Sequence, residues 1–99
     1  MSAVDFTGVA RVLDAAADAM ERNGRLNADQ ALRLVVWGAA SAAYPGDGEP
    51  GADVYDEAHT AIESKTGWQG HGIGHIHRAE AVTAARAEAA RYRAMGGGR

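Results

Sequence analysis

The sequence predicts an all-α fold, an antiparallel bundle of about four helices in a single domain, on three observations. Apolar residues recur at helical spacing in four stretches; glycine- or proline-rich breaks separate them; and no stretch shows the alternation and β-branched enrichment of a strand. With 99 residues there is material for one hydrophobic core, so residues 1–95 are expected to form one domain and Gly96-Gly97-Gly98-Arg99 a flexible tail.

The first helix is expected from Gly8 to about Asn23, with Thr7 as its N-cap. Val9, Val12, Leu13, Ala16, Ala19 and Met20 make its apolar stripe, Asp14, Asp18 and Glu21 lie mostly off it, and Asn23-Gly24 supplies the stop. Asn27-Ala28-Asp29-Gln30 reads as a capping box, in which Asn27 accepts from the first turn and Gln30 reaches back. The helix behind it is expected to run to about Tyr44. Leu32, Leu34, Val35, Val36 and Trp37 make it apolar around most of its circumference, so it is central or half of it is an interface. Both prolines stand in the loop that follows, Pro45 to Gly51. A third helix is expected from Asp53 to Lys65, with Val54 or Tyr55, Ala58 and Ile62 facing inward. A second glycine-rich connection, Trp68 to Gly74, leads to a last helix from about His75 to Met95, whose core stripe is Val82, Ala85, Ala89 and Tyr92.

Composition narrows the function classes. About a quarter of the chain is alanine, and bulky side chains are few, with one Phe, two Trp and three Tyr. Such a core is thin, which points to completion by a second polypeptide, a homodimer first of all. The net charge of −3 offers polyanions no long-range attraction, so nucleic acid is not an expected partner. Without cysteine there is no disulfide, thiolate metal site or thiol nucleophile. No signal-peptide pattern opens the chain and no stretch is apolar enough to span a bilayer, so the expected location is the cytoplasm, away from membranes. High alanine, glycine and arginine with Lys65 as the one lysine suggest a high-GC genome, that of an actinobacterium or its phage.

Chemically capable residues cluster in one place. His71, His75 and His77 fall within seven positions, and imidazoles suit zinc, nickel or copper. His59, Asp56 and Glu63 share a face of the third helix, so His71 and His75 with these three could form a divalent transition-metal site. The plainer reading is a wet polar helix face and histidines decorating a loop. Gly70 to Gly74, entering a helix with Arg78 on its first turn, has the ingredients of an anion or nucleotide cradle, though a tight connection explains the same glycines. Ser41 and Ser64 have no evident His-carboxylate pair, so no catalytic set is expected and the chain reads as a non-enzyme.

The stretch from Val12 to Gly24, Val-Leu-Asp-Ala-Ala-Ala-Asp-Ala-Met-Glu-Arg-Asn-Gly, followed by the alanine-rich stretch from Leu32 to Ala43, resembles small alanine-rich helical proteins of unknown function from actinobacteria and their phages. The likeness covers the first half of the chain and implies a helical fold with no known activity. The functional expectation is therefore a small interaction or regulatory protein that acts by protein-protein contact, as a homodimer or on a host protein. Its contact residues would be Leu32, Val35, Val36 and Trp37, with Trp68, Ile73 and Ile76 as second choice. The metal bundle and the anion loop are the competing expectations.

Overall fold

In the computed structural model, which describes residues 5–68 and 72–97, four α-helices form an antiparallel bundle: α1 (Phe6–Arg22), α2 (Ala28–Trp37), α3 (Ala52–Thr66) and α4 (Arg78–Gly97). A short 3-10 turn, Ile73–His75, precedes α4, and the described residues contain no strand. None of the described helices is long and apolar enough to cross a membrane.

The caps set each helix. Asp5, not Thr7, starts α1: its carboxylate accepts from the Gly8 amide at 2.9 Å, which admits Phe6 to the helix and lets its ring meet Tyr92 at 6.0 Å. The Asn27–Gln30 capping box forms as its spacing predicts, with reciprocal bonds of 3.0 and 2.8 Å. Helix α2 then stops seven residues before Tyr44. Gly38 takes the left-handed conformation at φ 84°, and its amide donates to the Leu34 carbonyl at 2.8 Å. The alanine-rich stretch 39–43 leaves the helix because two hooks hold it elsewhere. Arg33 donates to the Ala42 carbonyl at 2.7 Å, and the Tyr44 hydroxyl reaches Asp56 on α3 at 2.8 Å. Alanine propensity of a few tenths of a kcal/mol per residue yields to such contacts. Helix α4 begins at Arg78, later than expected, because the chain first turns through Ile73–His75, and it runs to Gly97.

Helix α1, not α2, is the centre of the bundle, packing on all three others and most extensively on α4. Its predicted stripe is buried except for Val12, which is half-buried, and Ala10 and Ala17 widen it. Ala81, Ala85 and Ala89 of α4 are fully covered against it, so small side chains on both helices let the axes approach closely. The bulk comes from Leu13, Met20, Leu32, Ile62, Ile73 and Val9, the largest fully buried side chains, each contributing about 1.5–3 kcal/mol. Among the described residues Met95, 41% exposed, is the one exposed large hydrophobic. A single chain thus covers its own bulky groups, and the thin composition loses its force as an argument for a homodimer.

Ion pairs stitch the α1–α4 seam from outside. Arg86 meets Asp18 at 2.8 Å, Asp14 at 3.6 Å and Glu21, and Arg93 meets Asp14, so the acids that the sequence set facing solvent are cross-links. On α4 itself Glu88 is only 6% exposed and holds Arg91 at 2.7 Å.

Candidate docking face and its polar cleft

The last turn of α2 carries four successive large apolar residues, Leu34, Val35, Val36 and Trp37, each half-buried. Neighbours on a helix point about 100° apart, so a run of four cannot all turn to one core. The loop between α2 and α3 covers part of this turn. Gly51, at φ 86°, lies so close that a Cβ there would sit 2.5 Å from Val36 Cγ1, and the Trp37 indole donates to the Pro50 carbonyl at 2.9 Å. Leu32, one turn earlier, is fully buried.

Beside this turn the loop, α2 and α3 enclose an open cleft of about 360 Å³ lined by Arg33, Tyr44, Asp47, Tyr55, Asp56 and His59. Trp37, Tyr44 and Tyr55 form a ring cluster with centroids 5.1 to 6.1 Å apart, and His59 extends it 5.7 Å from Tyr55. Arg33 is the organiser. Its Nε pairs with Asp29 one turn earlier at 3.0 Å, its guanidinium lies 5.2 Å from the Tyr55 ring centre, and a terminal nitrogen donates to the Tyr55 hydroxyl at 3.2 Å. The Tyr55 hydroxyl in turn donates to Asp29, and burial followed by that bond pushes the phenol up to about 12. The Tyr44 hydroxyl lies 2.7 Å from Asp47 and 2.8 Å from Asp56, bonds that raise its phenol above the ordinary range. One hydroxyl hydrogen serves two carboxylates there, so only one receives it at a time.

Acids are concentrated in this part of the sequence. Residues 29 to 63 hold seven of the thirteen acids and one base, Arg33, while the rest of the chain holds six acids and nine bases. The bases of α4 are largely committed within the fold: Arg86, Arg91 and Arg93 to carboxylates and Arg78 to the Met20 carbonyl at 3.3 Å.

The residues first proposed for contact separate into two groups. Val35, Val36 and Trp37 stay at the surface in part, and Trp68 is half-buried against the edge of the core. Leu32, Ile73 and Ile76 do not reach the surface. The turn before α4 aims Ile73 and Ile76, three residues apart, into the bundle, where they are 0% and 4% exposed. Of the metal-ligand set, His59 Nδ1 approaches Glu63 at 3.4 Å, while Asp56 is held by Tyr44 and His75 is exposed on the turn. His71, and with it Gln69 and Gly70 of the glycine loop, lies outside the described residues. Among the described residues no three His, Asp or Glu side chains gather as metal ligands. The Asp29–Arg33 pair had a signal in its spacing of four; Tyr44, Asp47 and Tyr55 had none, because the loop's return path brings them together. No protein family matches the chain, nor does any curated protein or solved structure.

Proposed function

We propose that the chain is a non-enzymatic interaction protein that docks one partner polypeptide with the last turn of α2 and the cleft beside it. The observation that carries this reading is the run Leu34 to Trp37, half-buried apolar side chains in succession next to a ring-lined polar cleft. Interfaces of non-obligate complexes combine such an apolar, aromatic centre with a polar rim and need no large greasy patch on the free protein. The cleft's phenols and its arginine are bonded to neighbouring carboxylates, which makes them a rigid recognition surface and poor proton-transfer groups at neutral pH.

The test is a pair of charge insertions read on the native complex. Val35→Arg should abolish co-elution of the chain with its partner in size-exclusion chromatography of the source cytoplasm. Ala90→Arg, on the exposed side of α4, should leave it intact. Equal effects of the two substitutions, with both variants folded, would contradict the reading.

A further inference from the structure

We infer that the polypeptide seated on this face is a basic amphipathic segment, one that lays an apolar side chain on Val35, Val36 and Trp37 and places a lysine or arginine in the cleft. The inference rests on the docking reading above and names the chemistry of the partner. Charge complementarity carries it. The cleft and its edge hold Asp29, Asp47 and Asp56 against one base, Arg33, whose charge is already met by Asp29 at 3.0 Å, so an approaching cation finds an uncompensated negative field here. The remainder of the sequence has the opposite balance, nine bases to six acids. The arginines that α4 of a second copy could offer are engaged on its own α1, on Glu88 and on the Met20 carbonyl.

The local chemistry fits a cationic side chain in particular. Asp47 and Asp56 compete for the single hydrogen of Tyr44, and an ammonium or guanidinium brings several N–H donors to the carboxylate that goes without. The half-buried Tyr44 ring lining the same cleft offers its aromatic surface to the charge. Val35 and Val36 alongside require an apolar neighbour in the same segment, which makes the segment amphipathic instead of merely basic.

The probe is the blocked tetrapeptide Ac-Lys-Leu-Leu-Lys-amide, with Ac-Glu-Leu-Leu-Glu-amide as its control, titrated into the isotopically labelled full chain and followed by amide and indole NMR shifts. Saturable shifts at Val35, Val36, the Trp37 indole, Tyr44 and Asp56 with the lysine peptide alone are expected. The double variant D47N/D56N, whose amide oxygens can still accept from Tyr44, should weaken this binding about tenfold. E49Q/D53N removes two exposed charges outside the cleft and should leave it unchanged. The inference is overturned by absence of saturable shifts, by the same shifts with the glutamate peptide, or by equal weakening in both double variants. Should the lysine peptide fail while Val35→Arg still dissolves the native complex, the docking reading stands and only the partner's chemistry is wrong; should both fail, docking itself is refuted.

Discussion

Arg33 ties three segments with one guanidinium: Asp29 on its own helix, the Ala42 carbonyl on the loop and the Tyr55 hydroxyl on α3. Arg33→Ala should therefore loosen the loop and cost about 1–2 kcal/mol in urea unfolding, the worth of its hydrogen bonds to charged and neutral partners. An unchanged midpoint would show that the hook contributes nothing. The phenols make a separate statement about pH. Tyr92 donates to Glu57 at 2.5 Å, and burial followed by that bond lifts it from the ordinary 10.0 to about 12; Tyr55 is raised to about 12 as well. A raised folded value means that the fold favours the neutral phenol. The stabilisation is complete below pH 10 and is lost as pH climbs toward 12. Thermal melts taken from about pH 9 to about pH 12 should fall steeply for the native chain and less steeply for Tyr92→Phe. Parallel curves for the two proteins would contradict the assignment.

At the scale of the element, the end of α2 decides where the candidate face lies. Gly38 sits at φ 84° with open space where a Cβ would go, so Gly38→Ala probes backbone strain alone. It should destabilise the chain by about 1 kcal/mol with no gain in helical circular dichroism, because Arg33 and Tyr44 still hold the loop in its path. A gain in helicity would mean that the alanine stretch 39–43 returns to the helix once its stop is weakened. This is also where the sequence was least legible. The Asn27–Gln30 box and the Leu13–Met20 stripe are local patterns whose partners lie within a turn or two, and they could be read directly. Residues 39–43 could not, since their conformation is fixed by the Arg33–Ala42 bond and, just beyond them, by the Tyr44–Asp56 bond, 9 and 12 positions long, through a carbonyl and a hydroxyl that carry no periodic signal. The Asp5 cap displaced the expected Thr7 for a related reason: both residue types cap well, and the packing of Phe6 on Tyr92 favours the earlier start. The candidate site was legible to the extent of Val35, Val36 and Trp37. Of its polar half, the Asp29–Arg33 pair had its spacing of four, while the two tyrosines meet it only through the loop's path and could not be read from spacing.

For the whole molecule, the question raised by composition was whether so few bulky side chains can close a core. The structure answers with the packing of α1 on α4, in which Ala16 and Ala17 of α1 and Ala85 and Ala89 of α4 are all fully covered. If that seam is as tight as its burial implies, Ala85→Leu forces the helices apart and destabilises by about 1–3 kcal/mol. A loosely filled core would instead gain stability from the added methylenes. With the seam sealed, the last turn of α2 keeps four successive apolar side chains half-buried, beside a cleft whose acids are Asp47 and Asp56. The proposed docking reading is at this scale an asymmetry, one acidic and aromatic cleft on a bundle in which Arg78, Arg86 and Arg93 are spent holding α4 to α1.

The most direct test of that asymmetry places a photo-crosslinking amino acid at position 35 or, in a parallel chain, at position 90, and irradiates cells of the source organism. The account predicts one discrete adduct with another polypeptide from position 35 and none from position 90. Adducts from both positions, or from neither, would contradict it.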